Sequence, residues 1–340
     1  MLMEKIRIGV ICPSEIAFRR FLPSLQKAGD FEYVGVAIAN TEEFVGATEE
    51  VLAKERAKAQ TFVDNYGGKI FEGYGALISS TEVDAVYLPL PPALHYKWAK
   101  QALMNGKHVL VEKPSTTRLE DTQELISIAE EKGLALHENY MFVFHNQIAA
   151  INEIVKSGEI GDVRLYRVSF GFPRRDARDF RYNKALGGGA LLDAGGYTMK
   201  LATELLGSSV KLTAATANYT SEFEVDLYGS ATLENDEKVV AQVAFGMDND
   251  YKCDLEIWGS KGTLTTGRIM TAPNGFEPSY TIKKNQDYFE GKLPADDAFL
   301  KSIEKFGACV TDDYVRKENY EKLLKQEQLV EAFKKLNKMQ

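Results

Sequence analysis

The chain has 340 residues, 44% of them apolar and 26% charged, with a formal net charge of -8 and three widely separated cysteines. Two domains are expected at this length, and the scattered cysteines indicate neither a disulfide framework nor a zinc site, so we expect no bound metal. The acidic charge argues against nucleic acid as a partner, and no run approaches the roughly 20 apolar residues that span a membrane, which together favour a soluble, cytoplasmic protein.

Strands and helices alternate over the first 137 residues. Apolar and β-branched runs predict strands at 6–11, 33–39, 85–89, 107–112 and 134–137, and helical periodicity predicts helices at 15–28, 95–105 and 119–132. Such alternation is typical of right-handed βαβ units with a parallel sheet. We therefore predict an α/β fold that begins with a doubly wound Rossmann domain over residues 1–137.

The pattern changes after residue 137. A helix at 146–157 and a strand at 163–171 come first, and they are followed by strands at 210–219, 222–233, 238–246 and 253–259 and a closing helix at 319–339. Successive alternating strands indicate an open, largely antiparallel sheet. We therefore predict an α+β domain over residues 138–340, which binds the substrate and whose outer sheet face joins copies of the chain into a homodimer or homotetramer.

In a Rossmann domain the turn after the first strand holds the dinucleotide phosphates, and it normally reads G-x-G-x-x-G. Here the segment that follows Gly9 reads Cys12-Pro13-Ser14-Glu15-Ile16-Ala17, so Cys and Ser replace two glycines and Ala replaces the third. The helix N-terminus still offers N–H groups to a phosphate, and Ser14 adds a donor. Gly9, Cys12, Pro13, Ser14, Glu15 and Ile16 are thus candidate cofactor contacts, with a plain turn as the alternative.

The residue at the end of the second strand distinguishes the two nicotinamide cofactors. An acidic side chain there binds the ribose 2′-hydroxyl of NAD, whereas a basic one accommodates the 2′-phosphate of NADP. This chain has Asn40 and Thr41, which are neither. Within the stretch 42–58, the side chains of Lys54, Arg56 and Lys58 could reach a phosphate, but that stretch could equally be a surface flap. The choice between NAD and NADP stays open.

Several short segments together resemble one family of enzymes. In chain order they are Leu90-Pro91-Pro92-Ala93-Leu94-His95, Glu112-Lys113-Pro114, Gly158-Glu159-Ile160-Gly161, Asp179-Phe180-Arg181-Tyr182 leading into Gly187-Gly188-Gly189, and Trp258-Gly259-Ser260-Lys261-Gly262-Thr263. Their order and spacing are similar to those of the glucose–fructose oxidoreductase and inositol dehydrogenase family over nearly the whole chain. The resemblance implies a Rossmann domain and an α+β domain, a nicotinamide cofactor bound at their junction, and a small-molecule carbohydrate substrate.

The resemblance also implies roles for particular residues. The family's catalytic lysine maps onto Lys113, and the aspartate and histidine of its glycine-rich helix map onto Asp193 and Tyr197, with Tyr in place of the usual His. In this respect the chain resembles the glucose–fructose oxidoreductase, dihydrodiol dehydrogenase and sugar 3-ketoreductase branches. The family also implies a cis Lys113–Pro114 peptide. Further candidate contacts are Pro89, Leu90, Pro91, His95, Glu112 and Lys113 for the cofactor, and Lys113, Tyr140, Arg181, Asp193 and Tyr197 for the substrate.

Physical chemistry is consistent with these roles. A phenol with a pKa near 10 is protonated at neutral pH and can donate its proton to a developing alkoxide. A cationic Lys113 would polarise the carbonyl group and stabilise the tyrosinate left by Tyr197. Asp193, four residues before Tyr197 on one helical face, could orient the lysine or a substrate hydroxyl. Each residue has a structural alternative: Lys113 as a solvated strand end, Tyr197 as a core phenol, and Asp193 as a helix cap.

Four arginines lie just before the glycine-rich segment, at Arg174, Arg175, Arg178 and Arg181. They could bind the phosphates of a nucleotide-linked sugar, or they could form a mixed-charge surface with Asp176 and Asp179. We predict an NAD(P)-dependent oxidoreductase that transfers a hydride between nicotinamide and a sugar, keto-sugar or nucleotide-linked sugar. The alternatives are a diol or polyol dehydrogenase that uses the same residues and a cofactor-free sugar sensor on the same fold.

Overall fold

The computed structural model describes residues 4–44 and 47–339, and the chain divides into two units. The first unit comprises Met1–Asn139 and Phe299–Leu323, and the second comprises Tyr140–Ala298 and Leu324–Gln340. The predicted boundary after residue 137 therefore lies close to the first division of the chain. The extreme ends of the two predicted domains, and residues 45 and 46 of the stretch 42–58, lie outside the described residues.

The first unit contains a six-stranded parallel sheet. Its strands are β1 (Ile6–Ile11), β2 (Phe31–Ile38), β3 (Lys69–Glu72), β4 (Ala85–Leu88), β5 (His108–Val111) and β6 (Leu136–Glu138). They are arranged in the order β3-β2-β1-β4-β5-β6, which is the order of dinucleotide-binding Rossmann domains. The predicted parallel sheet is confirmed, and only β3 was not predicted. That strand has four residues at the sheet edge and one buried position, so it carries almost no apolar pattern.

Helices connect these strands. They are a π-helix at Ala17–Phe21 and the α-helices α1 (Leu22–Leu25), α2 (Glu49–Tyr66), α3 (Tyr74–Ser79), α4 (Pro92–Met104) and α5 (Leu119–Lys132). The flap alternative for the stretch 42–58 is wrong from residue 49 onward, because that part lies in α2. The Thr48 hydroxyl accepts the Val51 N–H at 3.3 Å and caps this helix, and Glu49 and Glu50 in its first turn favour the same start.

The C-terminal helices return to the first unit. They are α8 (Ala298–Thr311) and α9 (Asp313–Asn337), and residues 299–323 belong to the first unit although the prediction placed them in the second domain. Phe306 is fully buried and stacks on Phe31 of β2 at 6.0 Å between ring centroids. Arg316 donates to the Gly133 carbonyl, which follows α5. Helical periodicity predicts the closing helix, at 319–339, which corresponds to α9, but α8 was not predicted, and periodicity does not state on which core a helix packs.

The second unit is built on an eight-stranded sheet. Its strands are β7 (Val163–Gly171), β8 (Lys211–Tyr219), β9 (Asp226–Glu234), β10 (Val240–Gly246), β11 (Lys252–Gly259), β12 (Thr263–Gly267), β13 (Ser279–Lys284) and β14 (Asp287–Lys292). Their order is β14-β13-β12-β11-β7-β10-β9-β8, and every neighbouring pair is antiparallel except β7 with β10. The predicted open and largely antiparallel sheet is confirmed.

One face of this sheet packs against helices. They are a 3-10 helix at Met141–Phe144, α6 (Asn146–Lys156), short 3-10 turns at Phe180–Tyr182 and Lys184–Leu186, a π-helix at Leu191–Gly195 and α7 (Gly196–Leu206). The backbone of the π-helix approaches the sheet closely, because a Cβ atom at Gly195 would lie 3.0 Å from the ring of Phe245. The glycines therefore set how near this segment lies to the strands. Within the described residues, none of the helices has the length and apolar content needed to cross a bilayer.

Replacing Phe306 by Ala tests the return of the C-terminal segment to the first unit. We expect the free energy of unfolding to fall by about 3 to 5 kcal/mol, because a large buried aromatic side chain leaves a cavity. Urea denaturation of the full chain measures this. Tyr314→Ala is the matched control in the same segment: its side chain is 79% exposed, so we expect a change below about 0.5 kcal/mol. Equal losses in both variants would contradict the packing described.

Candidate functional site

The turn after β1 keeps a glycine-like backbone although it lacks glycine. Cys12 has a φ of 81°, in the left-handed region that favours glycine, and its N–H donates to the Ala37 carbonyl at 3.1 Å. Pro13 is buried and Glu15 exposed. Ser14 accepts the Ala17 N–H on its hydroxyl oxygen at 3.2 Å, so it caps the start of the helix that contains Ile16. The turn therefore retains the form that suits a phosphate at a helix N-terminus.

Side chains from neighbouring elements enclose Cys12. Burial raises the pKa of its thiol to about 12, with a further contribution from the charge of Glu55, and the thiol is hydrogen-bonded to Tyr74. It therefore stays protonated at neutral pH and is a poor nucleophile. At Gly9 a Cβ atom would lie 2.8 Å from the Leu77 side chain, so the strand before the turn also requires a close approach.

The basic residues of the stretch 42–58 are bound to nearby carboxylates. Lys54 pairs with Glu50 at 2.6 Å, Lys58 pairs with Glu55 at 2.7 Å, and Arg56 pairs with Glu72. These pairs are largely exposed, so each contributes little to stability and can be exchanged for another partner.

Asn40 and Thr41 are exposed at the end of β2, and an acid that the sequence analysis overlooked organises the loop they begin. The Glu43 carboxylate accepts the backbone N–H groups of Asn40 at 3.0 Å, Tyr74 at 2.8 Å and Gly75 at 2.7 Å. The Asn40 side chain in turn accepts the N–H groups of Glu42 and Glu43. The Glu43 carboxylate is therefore hydrogen-bonded to the backbone of this loop and of the start of α3.

The segments after β4 and β5 are joined by a histidine. His95 is fully buried, and its ring nitrogens face the Pro114 carbonyl at 2.7 Å and the Leu90 carbonyl at 2.6 Å. Burial lowers the pKa of His95 to about 4, although both carbonyl groups oppose the shift. Pro89 and Leu90 are buried and Pro91 is partly exposed. The Lys113–Pro114 peptide is cis, as predicted.

Glu112 at the end of β5 is held from several sides. Its carboxylate accepts the Tyr87 hydroxyl and the Asn139 side-chain amide, both at 2.6 Å, and it is bonded to the backbone N–H of Lys113. Burial raises the pKa of Glu112, while these hydrogen bonds and the charge of Lys113 act in the opposite direction. Lys113 itself is partly exposed. The structure thus brings the predicted Glu112 and Lys113 together at one strand end.

In the second unit the structure brings Arg181 and Asp193 together. Arg181 Nε lies 2.6 Å from Asp193 Oδ2, and Arg181 also pairs with Asp179 at 3.1 Å. Burial by itself would lower the pKa of Arg181, but the two carboxylates outweigh it and the pKa is raised. Asp193 lies in the π-helix, and it is an ion-pair partner rather than the helix cap that was considered.

Tyr197 follows this π-helix in α7 and is packed among aromatic rings. Tyr140, Phe142 and Phe170 surround it at centroid distances of 5.2, 5.7 and 5.3 Å. Tyr197 keeps part of its surface exposed, whereas Tyr140 is 1% exposed. In this unit Tyr140 supports the Tyr197 ring, and its predicted contact with substrate stays a prediction.

Asp226 holds the glycine-rich segment and was not identified from the sequence. It is buried, and its Oδ2 accepts the Leu191 N–H at 2.7 Å. Gly189 lies directly against the same carboxylate, where a Cβ atom would collide with it. Burial raises the pKa of Asp226 to about 6. No local sequence pattern identifies Asp226, because it lies 35 positions from its partner Leu191.

The arginine-rich loop is partly neutralised. Arg174 pairs with Glu222, and Arg178 pairs with Asp176 at 2.9 Å. Among the described residues, no carboxylate lies within salt-bridge distance of Arg175, whose guanidinium group stacks on Phe172 at 5.2 Å. Three contacts between neighbouring side chains, from Tyr197 to Phe170, then to Phe172 and then to Arg175, link the phenol to this arginine.

Comparisons with known proteins give a consistent result. Residues 6–140 match the GFO/IDH/MocA oxidoreductase family, NAD-binding Rossmann fold, and residues 148–265 match the GFO/IDH/MocA C-terminal domain. A dTDP-3,4-didehydro-2,6-dideoxy-alpha-D-glucose 3-reductase from Streptomyces violaceoruber is 41% identical over 91% of this chain and 86% of that protein. A protein of the same name from Actinomadura kijaniata is 36% identical over 96% of this chain and 94% of that protein.

A solved structure agrees with these matches. It is the crystal structure of a 3-ketoreductase from Actinomadura kijaniata in complex with NADP and TDP-benzene. The TM-score is 0.90 at 36% sequence identity, and the match covers 98% of each chain.

The elevated pKa of Asp226 has a measurable consequence for stability. Its folded pKa of about 6 exceeds the value near 3.9 of an unfolded chain, so the folded state binds this proton more tightly. The contribution of Asp226 to the free energy of unfolding is therefore fully present below about pH 4. It is lost as the pH rises through about 6, and the total loss is about 2 to 3 kcal/mol. We expect Asp226→Asn, whose amide oxygen can still accept the Leu191 N–H, to lack this loss.

The free energy of unfolding of the two proteins, measured by urea denaturation from pH 4 to pH 7, tests this. As the pH rises, the free energy of unfolding of the variant should increase relative to that of the original protein. Asp236→Asn is the control, because that carboxylate is 68% exposed. Parallel curves for Asp226→Asn and the original protein would show that the carboxyl group is not held at an elevated pKa.

Proposed function

Because this chain belongs to the GFO/IDH/MocA family of NAD(P)-dependent oxidoreductases, we propose that it reduces a keto group of a nucleotide-linked keto-sugar with NADPH. The observation that carries this proposal is the similarity over almost the whole chain to reductases whose names specify a dTDP-linked keto-sugar. The matched region covers both the Rossmann part of this chain and the segment that contains Arg175, Asp193 and Tyr197.

The turn at Cys12 fits a dinucleotide. Its left-handed backbone and the capped helix start suit a pyrophosphate, with Gly9 and Ser14 beside it. This observation disfavours the cofactor-free sensor, whose main support was the replacement of glycine by Cys12 and Ser14. When bound, the cofactor supplies the hydride.

The loop after β2 supports NADP over NAD. Asn40 and Thr41 present no acid that would repel a 2′-phosphate, and the nearby carboxylate of Glu43 is bonded to three backbone N–H groups. Lys54, Arg56 and Lys58 form exposed ion pairs that can be exchanged, so one of these side chains could contact that phosphate.

Tyr197 and Lys113 are the proposed proton-handling residues. As a hydride is added to the carbonyl carbon, the carbonyl oxygen takes the phenolic proton of Tyr197, so the product is a hydroxyl group and the tyrosinate is reprotonated from solvent. Lys113 polarises the carbonyl group and stabilises the transient negative charge. The Arg181–Asp193 ion pair holds the segment before Tyr197 in place, and the two opposite charges neutralise each other.

Arg175 is the proposed phosphate ligand. Of the four arginines in this loop, Arg174, Arg178 and Arg181 pair with carboxylates, whereas Arg175 stacks on Phe172 with its N–H groups available. A guanidinium group can bind a phosphate with two parallel hydrogen bonds. The phosphates of the nucleotide would therefore lie toward Arg175 and the sugar toward Tyr197.

Self-association through the outer face of the eight-stranded sheet remains a proposal, as does the cytoplasmic location. Small polar side chains dominate this face, among them Ser169, Thr216, Ser230, Thr232 and Gln242, and they border a shallow groove of about 390 Å³. Trp258 is 51% exposed beside the Arg167–Glu256 ion pair. A broad face of polar side chains with an exposed aromatic ring suits a second copy of the same chain.

Titration with NADPH and NADH, followed by nicotinamide fluorescence, tests the proposed cofactor, and turnover tests the proposed acid. We expect saturable binding with NADPH the tighter ligand. Tyr197→Phe should bind NADPH with little change, and both Tyr197→Phe and Lys113→Ala should lose about 10²- to 10⁴-fold in kcat, since general acid catalysis typically contributes that much.

Tyr251→Phe is the control for removal of a phenol, because its exposed hydroxyl bonds only Thr271. Full activity of Tyr197→Phe would exclude that phenol as the proton donor. If neither cofactor bound at millimolar concentration, the proposed reaction would be wrong.

Arg175→Ala tests the phosphate ligand. We expect the Kd for thymidine diphosphate, measured by calorimetry, to rise about 10- to 100-fold, which corresponds to the loss of one charge-assisted hydrogen-bonded pair. Arg178→Ala is the matched control, since that side chain is 91% exposed and paired with Asp176. If both variants bound equally well, the loop would be only a charged surface.

A further inference from the structure

A continuous series of buried hydrogen bonds in the first unit ends beside Lys113. It runs through Asn319 of α9, His137 of β6, Ser302 of α8, Asn139 and Glu112, which also accepts the hydroxyl of Tyr87. The successive distances from Asn319 to Glu112 are 2.9, 3.1, 2.8 and 2.6 Å. His137, Asn139 and Ser302 are each at most 1% exposed, so bulk water does not compete for these groups.

The hydrogen bonds have a definite direction. The side-chain amide of Asn319 donates to the Leu136 carbonyl at 2.7 Å, which leaves its oxygen facing His137 Nδ1. Ser302 donates its only proton to Asn139 Oδ1, so its oxygen accepts from His137 Nε2. The ring of His137 therefore lies between two oxygen atoms, Asn319 Oδ1 and Ser302 Oγ.

This direction decides which end of the Asn139 amide faces Glu112. With the Asn139 oxygen occupied by the Ser302 proton, its NH₂ group points to Glu112 and donates at 2.6 Å. The opposite rotamer would present an oxygen to a carboxylate, which is repulsive unless Glu112 is protonated. Ser302 therefore selects the donor that keeps Glu112 a hydrogen-bonded carboxylate.

Glu112 transmits this arrangement to Lys113. Its carboxylate is bonded to the backbone N–H of Lys113 and interacts with the charge of that residue. We propose that Ser302 and His137 are positioning residues: through Asn139 and Glu112, the C-terminal helices fix the strand end that carries Lys113. The effect on turnover rests on the proposed function, but the effect on Asn139 does not.

The Asn139 side-chain amide is a direct reporter in the complete protein. An N–H proton bonded to a carboxylate at this distance gives a downfield signal in a ¹H–¹⁵N spectrum, which Asn139→Asp assigns by removing it. We expect Ser302→Ala to move this signal upfield, because the amide oxygen loses its donor and the amide can rotate. Thr311→Ala should leave it in place, since that hydroxyl on the same helix bonds only carbonyl groups of α8.

Activity supplies the second measurement. We expect Ser302→Ala to lower kcat about tenfold, with the Kd for NADPH changed less than twofold, because a displaced strand end impairs the reaction rather than cofactor binding. His137→Gln, whose amide can donate to Ser302, should retain more kcat than His137→Leu, which cannot.

Each outcome is decisive. An unmoved Asn139 signal in Ser302→Ala would overturn the proposal, and so would a moved signal with unchanged kcat, or equal losses in both His137 variants. If the chain binds no NADPH, the proposed function fails, while the Asn139 spectrum still tests whether Ser302 sets the amide.

Discussion

A carboxylate withdrawn from water needs hydrogen-bond donors or a cation around it, and this constraint shapes both units. Glu112 meets it with Tyr87, Asn139 and the Lys113 N–H. Asp193 meets it with Arg181, and Asp226 with two backbone N–H groups, that of Leu191 and its own. In each case at least one donor belongs to a segment that carries or precedes a candidate catalytic side chain. The need to satisfy a carboxylate therefore also fixes the chemistry-bearing residue beside it.

The strength of these arrangements differs with the donors. Asp193 has a guanidinium partner at 2.6 Å. Asp226 has a neutral donor and an elevated pKa of about 6, so near neutral pH it is ionised at a cost to stability. Such a cost is typical of groups retained for position rather than for stability. Asp226 contacts Gly189 and Leu191 and so holds the glycine-rich segment in place.

Local pattern predicted the elements whose ends are marked locally. Strand β7 and helix α5 begin and end where the sequence indicates, and α5 ends at Gly133, which has the left-handed conformation of a C-cap. Strands β12 to β14 were not predicted, because each is short and contains only one or two apolar or aromatic residues. The return of α8 to the first unit depends on which core Phe306 enters, and no local pattern contains that information.

The candidate site shows the same division. Lys113 and Tyr197 were found because they belong to motifs that resemble a known family, whereas Asp226, Glu43 and Ser302 were not. These three act on partners distant in sequence: Ser302 lies 163 positions from Asn139. Cys12 was misleading for another reason. Residue type suggested a damaged turn, but a phosphate interacts with backbone N–H groups, and the backbone at Cys12 has the conformation of glycine.

The arginine-rich loop shows why counting charges is not enough. Four guanidinium groups in eight residues suggest a strong anion site, yet Asp176, Asp193 and Glu222 each bind one of them. A substrate phosphate would have to displace those carboxylates, and the free energy gained would be offset by the pair that is broken. Arg175 carries no such penalty, since its partner is the face of Phe172, and a stacked guanidinium group keeps its N–H edge available. We therefore propose that selectivity for a nucleotide-linked sugar depends on Arg175, oriented by an aromatic ring, and that the other three arginines organise the loop that presents it.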